Sequence, residues 1–212
     1  MNRFHLEALC LGECKERVVR TNTTTIAVLD DFWADFDAVK EQFSKLPVAP
    51  ASYFDRDMEF YRSAWISTIK GQSLPFYDEL NRKILRIYAG ETPFFDNSDH
   101  EVTLNWNRVT GDRIEKDFFN PHPDPARYTT IVFMNDEYDD QDGFNLYHPV
   151  PEPGSPRPFW FGREYVNVDC FVRGKRNRAV IFPGHIYHGL EIRSQRFRDE
   201  FRCTAAIFHG KL

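Results

Sequence analysis

Cysteine is scarce in this chain, basic charge is not in excess, and no apolar run is long. The four cysteines are Cys10, Cys14, Cys170 and Cys203, and their spacing matches no paired zinc pattern. A chain of 212 residues needs no disulfide staples, so these read as reduced thiols of a cytoplasmic protein. Lys and Arg total 27 against 32 Asp and Glu, a formal charge of -5. That balance excludes the strong basic field that gathers nucleic acid or an anionic membrane surface. No window approaches the ~20 apolar residues of a membrane span. The stretch from Phe4 to Cys14 is interrupted by His5 and Glu7 and is too short for a secretory signal core. The expectation is a soluble cytoplasmic protein with neither nucleic acid nor membrane as partner, its oligomeric state open.

Apolar residues are abundant. They make up 42% of the chain, with 20 Phe, enough for a sizeable core in a single domain over residues 1–212. Glu16 to Thr21 and Thr24 to Leu29 read as two short strands. Asp30 or Asp31 is placed to cap a helix whose stripe is Phe32, Phe36, Val39, Phe43 and Leu46. The piece from Ala51 to Ser73 is mixed, with Trp65 to Ile69 a strand. A second helix runs from Pro75 to Ala89 on the stripe Phe76, Leu80, Ile84, Ile87 and Tyr88, with Gly90 at its end.

From Glu101 onward the character changes to short β-type runs divided by Gly, Pro and Asp. They are Val102 to Val109, Tyr128 to Met134, Gly143 to Tyr147, Tyr165 to Val172, Ala179 to Phe182 and Arg202 to Phe208. Pro149 to Pro158 reads as a surface linker. The fold class is therefore mainly β with flanking helices (α+β). An α-rich part over 1–100 packs on a sandwich or jelly roll over 101–212.

Within this pattern, Asn120 to Asn135 carries the chemistry. It opens with His122 and Asp124, two residues apart, between prolines that favour extended backbone. Positions i and i+2 of an extended chain share a face, so an imidazole and a carboxylate point one way. A second imidazole is on offer in Phe182-Pro-Gly-His185-Ile-Tyr-His188. Two imidazoles and one carboxylate on one face of an ion leave its other positions open, the arrangement suited to non-haem Fe(II). Alone, His-Pro-Asp is more often a turn, and His188 alone reads equally as a hydrogen-bonded core histidine.

A third feature raises the odds. In the last apolar strand, alternation puts Arg202 and Thr204 on one face and Cys203, Ala205 and Ile207 on the other. An inward Arg is costly unless it meets an anion, and its planar fork matches a carboxylate. The pair suggests a bound dicarboxylate. The competing reading of Arg202 is an ion pair with Asp199 or Glu200.

His-x-Asp, a distal His after Phe-Pro-Gly, and Arg-x-Thr on the final strand together resemble the 2-oxoglutarate- and Fe(II)-dependent oxygenases, in particular their prolyl-4-hydroxylase-like branch. Leu104 to Gly111, the Phe133-Met134-Asn135 corner and Gly143-Phe144 belong to the same likeness, which spans roughly 101 to 208. The resemblance implies a double-stranded β-helix (cupin-like) core, with His122, Asp124 and His188 as iron ligands. It gives 2-oxoglutarate to Arg202, assisted by Thr204 and Tyr128, and O₂ as the second cosubstrate. It favours His188 over His185, and leaves His148 as an outsider. Asn107 replaces a tyrosine common in that branch, and the turn carries one glycine, Gly143, where two are frequent.

The implied reaction is hydroxylation of an unactivated C–H bond in a small molecule, amino acid or peptide. Two readings compete with it: a non-catalytic jelly-roll binding module, and a cupin-like metalloenzyme without 2-oxoglutarate. Trp106, Tyr147, Phe159 and Trp160 are candidate substrate contacts or core residues.

Overall fold

A computed structural model describes residues 9–53, 56–67, 75–88, 103–109, 121–149 and 166–211. Gly90, Phe159, Trp160 and positions 150–158 of the expected linker lie outside the described residues.

Eleven strands among the described residues form two antiparallel sheets. The first sheet takes β1 (Lys15–Arg20), β2 (Thr25–Asp30), β3 (Ala49–Tyr53), β4 (Arg56–Ser67), β5 (Thr103–Val109), β6 (Ala126–Phe133), β9 (Ala179–Pro183) and β11 (Arg202–Lys211). Their order across it is β1-β2-β9-β6-β11-β5-β4-β3. The second sheet pairs β10 (His188–Glu191), β7 (Gly143–Pro149) and β8 (Val166–Arg173), in that order. Three helices complete the described residues: α1 (Phe36–Ser44), α2 (Pro75–Ile87) and the single turn α3 (Arg196–Asp199). No described helix is long and apolar enough to cross a membrane.

Strands β2, β6, β9 and β11 at the middle of the large sheet are buried on both faces, which is why they read as near-continuous apolar runs. Alternation sorts their side chains into two cores. Ala27, Leu29, Tyr128, Val132, Ala179, Ile181, Ala205 and Ile207 face the helices, against Phe36, Val39 and Phe43 of α1 and Phe76, Leu80 and Ile84 of α2. Ile26, Val28, Ile131, Phe133, Val180, Phe182 and Ala206 face the second sheet, against Phe144, Leu146 and Val172.

One boundary differs from expectation. Helix α1 starts later, capped by Asp35, whose Oδ1 accepts from the Ala38 amide at 3.0 Å. Asp31 has φ 59° and Trp33 forms a bridge with Leu11, so the chain turns before it coils. Among the described residues of the first hundred, β1 and β2 continue the large sheet beyond β9, and β4 and β3 continue it beyond β5. The mixed stretch after Ala51 is a β3–β4 hairpin with a register shift at Pro50/Ala51. That irregularity hides its period from a sequence reading.

Candidate metal centre

The triad is assembled by backbone pairing. His122 forms an isolated antiparallel bridge with His188, the first residue of β10. Each amide donates to the other residue's carbonyl, at 3.0 and 3.1 Å. Two residues on, the Asp124 amide donates to the Gly184 carbonyl at 2.8 Å, and the Gly184 amide donates to Arg127 O at 2.9 Å. A Cβ on Gly184 would lie 2.0 Å from the Ala126 oxygen, so only glycine permits this approach. The Phe-Pro-Gly turn is thus the clamp that holds the His-x-Asp segment against β10.

Donor atoms of His122, Asp124 and His188 lie within 4.8 Å of one another. Asp124 Oδ2 is 3.2 Å from His188 Nε2, and Oδ1 is 3.7 Å from His122 Nε2. Asp124 and His188 are buried, whereas the His122 side chain is 33% exposed and marks the side open to solvent. Phe144 and Phe182 flank the His188 ring, at centroid distances of 5.4 and 4.7 Å, and keep that side apolar.

This donor set fits a cation. His188 Nδ1 lies 2.9 Å from the Ile186 carbonyl, which can only accept, so Nδ1 carries the hydrogen. In the neutral ring Nε2 then turns a lone pair toward the Asp124 carboxylate. Two lone-pair donors at that separation repel unless a positive charge, a proton on Nε2 or a metal ion, lies between them. Burial pushes the Asp124 carboxyl up, but the positive charge and hydrogen bond that His188 offers when protonated, the charge of protonated His122 and the Thr129 hydrogen bond outweigh it, so its pKa falls below the usual value. The carboxylate form that a metal needs is favoured.

Arg202 and Thr204 lie on the inter-sheet face. Thr204 pairs with Phe133, and Phe208 pairs with Thr129, whose hydroxyl donates to Asp124 Oδ2 at 2.7 Å. Arg202 is 1% exposed and Glu200 is exposed. The guanidinium donates to the Gly143 carbonyl at 2.9 Å and stands 5.3 Å from the Phe133 ring centroid. Gly143 is three residues along β7 from Leu146, which pairs with His188. That step is about 10 Å of backbone.

Tyr128 does not join this group. It pairs with His209 and packs on Tyr88 in the helix-facing core, ring centroids 4.6 Å apart. Its neighbour Thr129 takes the inward position, and one residue of parity separates the two faces. His185 and His148 are exposed. Tyr147 is buried against Val166 and Tyr187. Trp106 and Asn107 belong to β5.

Two contributors escape a sequence reading. Thr129 is one, since its hydroxyl finds Asp124 only in the folded chain. Asn135 is the other: its Oδ1 accepts from Cys203 N at 2.6 Å and its Nδ2 donates to Phe201 O at 2.9 Å. It brackets Arg202 and fixes which way that side chain turns. The Phe-Met-Asn corner was the available signal.

Fold and donor set define a class: a two-sheet β protein carrying two histidines and one carboxylate, arranged to take a metal. No family model matches the sequence, and no curated protein matches it. Solved structures do. A chain from Shewanella oneidensis described as a presumed oxygenase is 11% identical, with TM-score 0.50 over 89% of this chain and 82% of that one. The Fe(II)/α-ketoglutarate-dependent dioxygenase TqaL is 13% identical, with TM-score 0.48 over 84% and 75%. A Pseudomonas putida prolyl-4-hydroxylase is 11% identical, with TM-score 0.45 over 84% of each chain. At such identities the likeness is one of fold.

Proposed function

We propose that this chain is an Fe(II)- and 2-oxoglutarate-dependent dioxygenase that hydroxylates an unactivated C–H bond of a small molecule, amino acid or peptide. The observation that carries the proposal is the confrontation of His188 Nε2 with the Asp124 carboxylate at 3.2 Å, with His122 beside them. Strand order supports a double-stranded β-helix. Strands β11, β6 and β9 of one sheet pack against β7 and β8 of the other, and the chain switches sheet after β6, β8, β9 and β10.

His122, Asp124 and His188 would hold the iron and leave the face opposite them open. An iron held there would supply the coupling of 2-oxoglutarate decarboxylation by O₂, to succinate and CO₂ with one oxygen atom, to insertion of the other oxygen atom into a C–H bond. The protein's part is placement. Arg202 would grip the distal carboxylate of 2-oxoglutarate with its fork, and Thr204, on the same face, would add a hydroxyl. Phe144 and Phe182 keep water from the His188 side, while the partly exposed His122 marks the approach for substrate.

The test is succinate formation from 2-oxoglutarate by anaerobically purified, Fe(II)-loaded protein on admitting O₂, followed by a screen of amino acids and short peptides for stimulation. Metal binding without 2-oxoglutarate binding would point to a cupin-like metalloenzyme. Absence of both would point to a binding module.

A further inference from the structure

We infer that Thr129 is a positioning residue that fixes how Asp124 presents itself to a metal, reserving one carboxylate oxygen for the ion. The inference rests on the metal-centre reading above. Thr129 is wholly buried on the inner face of β6, paired with Phe182 on β9 and Phe208 on β11. Among apolar neighbours a hydroxyl must find a partner. It donates to Asp124 Oδ2 at 2.7 Å, the short distance of a charge-assisted O–H···O⁻ bond.

The choice of oxygen matters. Oδ2 accepts the Thr129 hydrogen and faces buried His188, while Oδ1 faces His122 on the solvent side. The bond occupies one lone pair of Oδ2 and stops the carboxylate rotating about its Cβ–Cγ axis. A freely turning carboxylate can chelate with both oxygens and take up a second coordination position. One that is tied takes a single position and leaves three open, the number needed when a two-point oxoacid and O₂ must share the ion. The Asp124 backbone is fixed at the same time, through its amide and Gly184 O. Main chain and carboxylate are therefore held independently, one by the β9–β10 turn and the other by β6.

The experiment titrates Mn(II) into the full-length protein, anaerobically, for wild type, Thr129→Val, Thr129→Ser and Asp124→Ala, with metal-free thermal unfolding alongside. Mn(II) alone is the probe, read by loss of the free-ion EPR signal. Removing a hydrogen bond to a metal ligand costs about 10- to 100-fold in metal affinity. Thr129→Val, which keeps shape and strand preference, is expected to weaken Mn(II) binding by that factor. Thr129→Ser, which keeps the hydroxyl, is expected to stay within about threefold of wild type. Should Thr129→Val not fold, Thr129→Ala removes the same hydroxyl without the branched bulk. Equal affinity in wild type and the hydroxyl-free variant overturns the inference and leaves the metal centre standing. So does a Ser variant as weak as Val, since packing would then be responsible. Failure of wild type to bind Mn(II) any better than Asp124→Ala overturns the metal centre itself.

Discussion

His122 and His188 are hydrogen-bonded to each other through their backbones, amide to carbonyl in both directions. The two rings consequently stand 4.6 Å apart between centroids. Sixty-odd residues of chain separate them, yet their spacing is set by a main-chain bridge and owes little to side-chain packing. The bridge makes the ligand set rigid where its mutation is most informative.

Removing a ligand should therefore remove the metal without unfolding the protein. His122→Ala and Asp124→Ala are each expected to lose tight Fe(II) binding, because few protein contacts to the ion remain. His185→Ala should bind as wild type does, its side chain being exposed. Anaerobic titration of the three variants checks this. Tight stoichiometric binding by His122→Ala would remove that residue from the site.

Arg202→Lys keeps the charge but loses the fork. Its affinity for 2-oxoglutarate is expected to drop by about 2 kcal/mol, roughly thirtyfold in Kd, with metal binding retained. Calorimetric titration of Mn-loaded protein reads both. Unchanged 2-oxoglutarate affinity would make Arg202 a structural residue of the Gly143 and Phe133 contacts.

Gly184→Ala puts a methyl 2.0 Å from the Ala126 oxygen. The turn must back away from the His-x-Asp segment, at a cost of about 1–3 kcal/mol of stability. Metal affinity should fall with it, since the Asp124–Gly184 hydrogen bond cannot persist. Thermal unfolding and metal titration should move together. A variant with wild-type values for both would show that the clamp is dispensable.

Acid stability has a separate origin. Hydrogen bonds from Arg178 and Lys175 hold the Asp30 carboxyl at about 2 in the folded chain, against a partial cost of burial. Because the folded value lies below the unfolded one, this stabilisation is complete above about pH 4 and is lost as pH falls from there toward 2. Asp30→Asn should lower stability by about 1–2 kcal/mol at neutral pH, after allowance for solvent screening. It should also flatten the acid limb of the stability curve. Denaturant unfolding at pH 7, 4 and 2.5 measures both effects.

The site was legible in the sequence to the extent that it obeys local geometry. His122 and Asp124 are two apart on extended backbone, and Arg202 and Thr204 repeat that period on the last strand. Tyr128 lies on the helix-facing side, and its face depends on where β6 begins. The strand starts at Ala126, and pairing with β11 settles the parity in favour of Thr129. Asn135 and Thr129 act through partners 68 residues and five residues away, respectively, that only tertiary structure supplies. In the fold, the alternating and continuous apolar runs announced their strands. The β3–β4 hairpin, with its register shift, did so only at the end of β4, Trp65 to Ser67.

The order of the large sheet has a last consequence. Strand β9, whose end makes the clamp, is flanked by β2 from early in the chain, and β5 is flanked by β4. Cutting the chain near residue 100 would strip both neighbours and leave two unprotected rows of amides and carbonyls, open to pairing with other molecules. The metal-bearing half is no detachable cassette. Its solubility is lent by the strands that precede it, and a fragment lacking them should gather into aggregates before it can bind an ion.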